Sequence, residues 1–423
     1  MARAVERDAG STAGGLGSAA EPKGLGQTRF PAFDGFRAIA AVSVVVTHVA
    51  AVSSFNSRSW LGAFTARMDV GVAVFFLISG FLLYRPFVVA RFADEPGPRT
   101  VPFLWRRFLR IFPAYWFALT LVVYVLDAVP GGNPDPIHNA KDFFLFYSLV
   151  HVYSLGHVFS PIAQAWTLSI ELTFYLLLPL WALAMRKLGG HDNAARFRVE
   201  VIGLAVLAAA GTAYRFWVTF GDFGFGRTGQ LLHILPAWLD LFALGMLLAV
   251  VSAWVARRGA PSPAGLDHPW APAVCWALSA LSFVAVSVWI GEPPNPVLTD
   301  FTGWQETGVH YLYGAVAFFL LLPGIFGPQD QGVIRGLLRN RVVQLVGLVS
   351  YGIYLWHEAL IEQYTEWRGV EFPITSSFVQ MLAATLVLTL VAATVSYVVV
   401  ERPALRLKDR LSLYGRRAAA RPT

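Results

Sequence analysis

The chain has 423 residues, of which 56% are hydrophobic and 14% are charged, and its net charge is +7. Soluble domains carry about 25% charged residues, so this composition argues against a soluble fold. An excess of Arg and Lys is typical of the cytoplasmic loops of membrane proteins, and we do not expect nucleic acid as a partner. The single cysteine, Cys275, excludes an intrachain disulfide and a thiolate metal site.

Apolar segments recur along the chain at lengths suited to a hydrocarbon core of about 30 Å. They predict an all-α integral membrane protein with about ten transmembrane helices embedded in a lipid bilayer. The predicted helices are 38–54, 70–90, 109–129, 167–186, 199–220, 234–255, 271–290, 309–327, 343–364 and 377–400.

The basic residues set the predicted orientation. If the short aromatic segment 143–153 does not cross, most of the 33 Lys and Arg residues fall in the two tails and in the loops after even-numbered helices. The positive-inside rule then places both termini in the cytoplasm, and 143–153 becomes an interfacial or re-entrant piece on the outer face. We predict a disordered cytoplasmic tail (1–30), a membrane domain (31–403) and a basic cytoplasmic tail (404–423), in the inner (cytoplasmic) membrane of the cell.

The stretch FDGFRAIAAVSVVVTHVA, which begins at Phe33, places Arg37 and His48 on the first predicted helix. The helix between them rises by about 16 Å, so His48 lies near the middle of the membrane and on the same face as Arg37. A histidine at that depth needs a cavity or a partner. Two interpretations stay open: a core histidine hydrogen-bonded to a neighbouring helix, or a catalytic group.

Three arginines, Arg106, Arg107 and Arg110, cluster where the third predicted helix begins. Arg107 and Arg110 are spaced i, i+3 and therefore point in the same direction. Arginine forks suit phosphate groups, which favours a site for a phosphorylated cytoplasmic donor. The alternative is a topology anchor or a contact with lipid headgroups.

The stretch QAWTLSIELTF carries Trp166, Ser169 and Glu171 at the outer end of the fourth predicted helix. A tryptophan suits the membrane interface, and a carboxylate about one turn into the membrane usually faces a cavity or a partner. Glu171 therefore indicates a polar cavity inside the bundle, unless it only holds helices together.

Two further helices carry residues of interest. Ser79 stands next to Gly80, a small pair for which close helix packing is the simpler explanation. His357 and Glu358 are adjacent on a helix, where neighbours diverge by about 100° and do not form a local pair. Because no His or carboxylate pair has ligand spacing within one helix, we expect no metal site.

These stretches together resemble the membrane acyltransferase 3 family of bacterial O-acyltransferases. The matching pieces occur in the family's order: FDGFRAIAAVSVVVTH, FFLISGFLL, RRFLRIFPAYW, WTLSIELTFYLLLP, SYGIYLWH and ERP at 401–403. The resemblance implies an enzyme that takes an acyl group, by default acetyl, from cytoplasmic acyl-CoA. Acyl-CoA would be a co-substrate, with no bound cofactor. The acceptor would be a hydroxyl of a carbohydrate, a glycolipid or an exported metabolite.

The resemblance also implies roles for single residues. Arg37 and His48 match the family's central Arg-then-His motif, and Glu171 joins them as a catalytic residue. The acyl-CoA-binding residues would be Arg106, Arg107 and Arg110. Acceptor contacts and supporting roles are expected for Asp34, Trp166, Ser169, Ser79 and His357.

His48 would act either as the general base for the acceptor hydroxyl or as a transient acyl carrier, and both alternatives stay open. Some family members carry an extracytoplasmic esterase-like domain. This chain ends shortly after Pro403, so a second transfer step would need a separate extracytoplasmic partner protein. The competing interpretation is a transporter or flippase for a surface-glycan precursor, which explains a polar cavity but no need for CoA. A non-catalytic scaffold would leave the buried His and Glu unexplained.

Overall fold

The computed structural model describes residues 30–129, 137–159, 161–259, 262–289, 302–369 and 377–409. Within these ranges every regular element is helical, which confirms the predicted all-α class. Nine helical stretches in the described ranges are long and apolar enough to cross a membrane. The predicted tails fall mostly outside the described residues, apart from Phe30 and residues 404–409.

The α-helices of the described ranges fall into three groups along the chain. The N-terminal group is α1 (Phe33–Val52), α2 (Phe55–Arg58), α3 (Gly62–Thr65), α4 (Gly71–Phe92), α5 (Thr100–Leu121) and α6 (Ala140–Tyr147). The middle group is α7 (Trp166–Lys187), α8 (Asn193–Phe220), α9 (Phe225–Leu232), α10 (Leu239–Arg258), α11 (Ala271–Val284) and α12 (Gly303–Ile325). The C-terminal group is α13 (Val333–Leu338), α14 (Arg341–Leu348), α15 (Ser350–Trp367), α16 (Phe378–Ser396) and α17 (Arg402–Leu405).

The third predicted helix begins too late. The prediction started it at 109, after the arginine cluster, whereas α5 begins at Thr100. Arg106 and Arg107 are good helix formers, so they continue a helix beyond its apolar part. Pro102 lies in the first turn, where its missing N–H removes no intrahelical hydrogen bond. The arginine cluster therefore stands on a helix that is already rigid at this point.

The ninth predicted helix, 343–364, is two helices in the structure. α14 ends at Leu348 and α15 begins at Ser350, with Val349 between them. α15 is not among the nine apolar stretches, but most of its residues are buried and it packs against α1 and α16. Its polar side chains are therefore surrounded by protein. The count of about ten crossings and the orientation of the termini stay predictions.

The segment 143–153 does not form a crossing. α6 has 8 residues and is followed by a 3₁₀ turn at His151–Tyr153, which is too short for a core of about 30 Å. The segment is tied to α5, because Tyr115 Oη donates to Phe146 O at 2.8 Å and Trp116 Nε1 donates to Tyr147 O at 2.8 Å. This agrees with the prediction that the segment does not cross.

α4 and α10 pack closely against each other, and two glycines set their spacing. A Cβ on Gly80 would lie 2.5 Å from Phe242 O, and a Cβ on Gly245 would lie 2.3 Å from Leu77 O. Both distances are shorter than van der Waals contact, so neither position accepts a side chain unless the helices move apart. Gly80 therefore has the packing role that the sequence predicted for it.

Gly80→Ala is expected to destabilise the bundle by about 1–3 kcal/mol, because the new methyl group meets a backbone oxygen in a well-packed interface. The matched control is Gly229→Ala in α9, where a new Cβ has no neighbour within 4 Å. The measurement is thermal unfolding of both purified variants in detergent. Equal unfolding temperatures for the two variants would contradict the close packing of α4 on α10.

Candidate active site

A cavity of about 520 Å³ opens inside the bundle where α1 and α5 begin and where the chain leaves α16. Small-molecule sites usually enclose about 300–1,000 Å³, so the cavity is large enough for a substrate. The cationic side chains that line it are Arg37, Arg106, Arg107, Arg110 and Lys408. The carboxylates that line it are Asp34 and Glu171, so positive charge is in excess.

Neighbouring groups hold the arginines in place. Arg37 Nη1 lies 3.3 Å from Asp34 Oδ1, one turn earlier on α1. Arg110 Nη1 lies 3.3 Å from Glu401 Oε2, and the Arg107 guanidinium lies 6.0 Å from the centroid of the Phe103 ring. The Nε of Arg107 is buried and has no hydrogen-bond partner in the described part of the chain. An anion entering the cavity would supply one.

Glu171 contributes a fixed negative charge to the same cavity. Ser79 Oγ donates to Glu171 Oε1 at 2.7 Å, and Tyr175 Oη donates to Glu171 Oε2 at 2.7 Å. Tyr175 is four residues after Glu171 and so lies on the same face of α7. The sequence placed Glu171 near the outer end of its helix, and the structure groups it with the arginines. Ser79 thus belongs to the site, while Gly80 beside it serves packing.

His48 lies in a second cluster, formed with His357 and Glu358. His357 Nδ1 is 2.7 Å from Tyr354 O, and because a carbonyl oxygen only accepts, this nitrogen carries a proton. His357 Nε2 is then an acceptor, and it lies 3.1 Å from His48 Nδ1. His48 Nδ1 also lies 2.9 Å from Val44 O, so it is the donor in both contacts.

This assignment leaves His48 Nε2 without a proton when the ring is neutral. Its neighbour is Glu358 Oε1, at 3.1 Å. Two acceptors do not form a hydrogen bond, so this contact requires one proton, on the imidazole or on the carboxyl group. The His48 side chain remains 36% exposed, whereas that of Glu358 is 12% exposed. The cluster therefore holds one shared proton beside a partly exposed imidazole.

α15 connects the cavity with the histidine cluster. Tyr351, Tyr354 and Glu358 share one face of this helix, over about 10 Å of its length. Tyr351 and Tyr354 line the cavity, and Glu358 contacts His48. The Tyr354 ring lies 5.9 Å from the ring of Phe75, which also lines the cavity. The Tyr354 ring also lies 5.8 Å from that of His357, so Tyr354 contacts both the cavity and the cluster.

The same cluster has the side-chain types of a zinc site. His48, His357 and Glu358 each offer one ligand atom, and these atoms lie within 4.8 Å of one another. Two histidines with one glutamate form a known catalytic zinc set. One shared proton is enough to satisfy the hydrogen bonds among these three side chains. The sequence expectation of no metal stays a prediction.

Two predicted site residues stand apart from the cavity and the cluster. Ser169 is fully buried and its Oγ lies 3.4 Å from Ala165 O, within its own helix. The Trp166 ring packs against Trp238 and His233, with ring centroids 5.4 Å and 4.6 Å away. Burial lowers the pKa of His233, so this ring is a neutral packing partner. The other predicted residues line the cavity or, for His48 and His357, form the cluster.

The sequence reasoning missed three partners. It set aside Glu358 because neighbours on a helix diverge, but His48 lies between His357 and Glu358 and contacts both. Tyr175 could have been found from its i, i+4 spacing to Glu171. Glu401 was noticed only as part of the ERP stretch, and its pairing with Arg110 spans 291 positions of the chain, which no local pattern reveals.

Comparison with known proteins gives a consistent result. The family model of acyltransferase 3, described as "Acyltransferase domain", matches residues 30–401. The putative peptidoglycan O-acetyltransferase YrhL of Bacillus subtilis is 26% identical over 391 residues, which cover 88% of this chain and 54% of the relative. The peptidoglycan O-acetyltransferase OatA of Listeria monocytogenes is 25% identical over 391 residues, which cover 88% of this chain and 55% of the relative.

A putative O-acetyltransferase of Staphylococcus aureus is 24% identical over 392 residues, which cover 88% of this chain and 57% of the relative. The chain thus spans about half the length of the curated relatives it matches. No solved structure matches this chain. These relatives are named as acetyltransferases, which gives no support to the transporter interpretation.

Proposed function

This chain belongs to the acyltransferase 3 family and is an acyltransferase, and from that premise we propose that it is an integral-membrane O-acetyltransferase. It takes acetyl from acetyl-CoA on the cytoplasmic side and transfers it to a hydroxyl of a cell-wall glycan. The observation that supports this proposal most is the pairing of a cation-rich cavity with the proton-sharing cluster of His48 and Glu358.

The proposal that the cavity binds acetyl-CoA rests on charge. CoA carries several phosphate negative charges at one end and the thioester at the other. The cavity offers planar guanidinium groups that match phosphate oxygens, and the buried Nε of Arg107 lacks a partner in the described residues. CoA phosphates bound at the arginines would direct the thioester toward Tyr354 and the histidine cluster.

The transfer step rests on the contact between His48 and Glu358. Once the proton of the contact with Glu358 has been released, His48 Nε2 accepts the proton of the acceptor hydroxyl, and the Glu358 carboxylate stabilises the imidazolium that forms. The hydroxyl oxygen bonds to the acetyl carbon, the carbon–sulfur bond breaks, and the proton passes to the CoA sulfur. The products are the acetyl ester and free CoA. Glu171 stays fixed by Ser79 and Tyr175 and gives the cavity a carboxylate that faces the arginines.

The acceptor class is inferred from the relatives. Two of them are named for the O-acetylation of peptidoglycan, so we propose a hydroxyl of peptidoglycan or of its precursors as the acceptor. This requires a protein in the inner (cytoplasmic) membrane with both termini in the cytoplasm and about ten crossings, α15 among them. A separate extracytoplasmic partner protein would carry the group onward if a second transfer follows.

The role of Glu358 is tested with Glu358→Gln, which keeps the size of the side chain and removes its charge. We expect kcat to fall about 100-fold or more, because general-base catalysis contributes about 10²–10⁴-fold. The KM for acetyl-CoA should not change. The measurement is transfer of labelled acetyl to a peptidoglycan fragment by purified protein. Glu366→Gln, at the exposed end of α15, is the control and should keep the wild-type rate. A folded Glu358→Gln variant with normal kcat would refute this role.

The donor site is tested with Arg107→Ala. Hydrogen bonds to a charged group contribute about 1.5–3 kcal/mol, so CoA affinity should fall about tenfold or more. Calorimetric titration of CoA into the purified protein measures this directly. Arg257→Ala, on an exposed arginine at the end of α10, should bind CoA as the wild type does. Equal affinity of both variants would leave the arginine cluster as a topology anchor.

A further inference from the structure

The chain after the last long helix returns to the cavity. A π-helical turn at Tyr397–Glu401 follows α16 and leads into α17 and a 3₁₀ turn at Arg406–Asp409. We call residues 402–409 the return segment. It packs along α5, and Trp105 Nε1 donates to Leu407 O at 3.2 Å. Leu405 and Lys408 line the cavity, so the return segment forms part of its wall.

Glu401 precedes this segment and is 1% exposed. Its Oε2 lies 3.3 Å from Arg110 Nη1, while its Oε1 has no hydrogen-bond partner in the described residues. A buried carboxylate without a partner is costly, so the ion pair with Arg110 is what makes this position tolerable. On another side, the Arg110 guanidinium lies 5.5 Å from the centroid of the Tyr351 ring.

Arg110 is thus held from two directions and still lines the cavity. A guanidinium has five N–H donors in a fixed fork, and the contact with Glu401 uses only one nitrogen of Arg110. Within the described residues no other hydrogen bond engages Arg110, so its remaining donors can serve an anion in the cavity. Glu401 therefore fixes the orientation of the Arg110 guanidinium group while contacting only one of its nitrogens.

Lys408 stands on the same wall and is exposed. Its position gives it access both to the cavity and to solvent, so it lies at the cavity mouth. An ammonium group on a flexible stem contacts phosphate as a point charge, without the geometric demand of an arginine. It extends the positive lining of Arg106, Arg107 and Arg110 beyond the helix that carries them.

We propose that two residues of the return segment, Leu405 and Lys408, belong to the donor-binding site: Lys408 binds a phosphate of the acyl donor, and Glu401 is a positioning residue that orients Arg110 toward that donor. This inference rests on the proposed function, because it takes the cavity to hold a CoA thioester. It adds a stretch of chain beyond the matched residues 30–401 to the site. Leu405 would pack against the apolar part of the donor.

The test compares two donors with the purified full chain. Acetyl-CoA carries the phosphates, and acetylpantetheine lacks them. Lys408→Ala should raise the KM for acetyl-CoA about tenfold, leave kcat unchanged, and leave the KM for acetylpantetheine unchanged. Arg406→Ala is the control, since Arg406 is exposed on the same segment and does not line the cavity. It should match the wild type with both donors.

Glu401→Gln should likewise raise the KM for acetyl-CoA at constant kcat, and Glu401→Asp should restore part of the loss. Thermal unfolding checks that both Glu401 variants fold. If they do not fold, the inference is tested with Lys408→Ala, which lies at an exposed position. The inference is overturned if Lys408→Ala behaves as Arg406→Ala, or if its KM rises equally for both donors. A wild-type chain that uses neither donor would instead overturn the proposed function, and this inference with it.

Discussion

The contact between His48 Nε2 and Glu358 Oε1, at 3.1 Å, is the interaction on which the site depends. Two backbone carbonyls assign its protons: Tyr354 O fixes the tautomer of His357, and Val44 O with His357 fixes that of His48. What remains is one ring nitrogen, on a partly exposed side chain, that faces a carboxylate and shares one proton with it.

Elsewhere in the described part of the bundle, two pairs of ionisable groups join helices. Arg215 Nη2 lies 2.7 Å from Glu306 Oε1, and His310 Nε2 lies 2.8 Å from Asp240 Oδ2, in each case between two helices. Pairing of this kind removes the cost of an isolated charge in an apolar interior and ties the helices together. The cavity differs from these pairs, since its cationic side chains outnumber its carboxylates. An excess of positive charge around an open cavity is typical of an anion-binding site.

Most of the fold could be predicted from local pattern. Apolar length indicated most of the crossing helices, and charge distribution was the reason to keep 143–153 out of the membrane. The ninth predicted helix was placed correctly, but its break at Val349 was not predicted, because 343–364 contains no Pro and its apolar residues continue through that position. The start of α5 was placed too late because the helix extends toward the N-terminus beyond its apolar part, through Arg106 and Arg107.

Several single residues of the site could be predicted from the sequence, but the contacts between them could not. Arg37, Arg107 and Arg110 could be chosen from spacing and charge, and the structure brings them to one cavity. Glu401, which pairs with Arg110, and Lys408, which lines the same cavity, could not be chosen, because both come from the far end of the chain. Glu358 was rejected by a rule that holds within one helix, while its real partner is on α1. Pairings between distant helices depend on the packed bundle, which local spacing does not encode.

The most direct test of acetyl transfer through His48 follows both products of one reaction. Purified chain is incubated with labelled acetyl-CoA and a peptidoglycan-derived glycan, free CoA thiol is measured, and the glycan is analysed by mass spectrometry. We predict that the wild type releases one CoA thiol for each acetyl ester that forms on a glycan hydroxyl. A folded His48→Ala variant should release no CoA and form no ester. Equal acetylation by His48→Ala, or no acetyl-CoA consumption by the wild type, would contradict this mechanism.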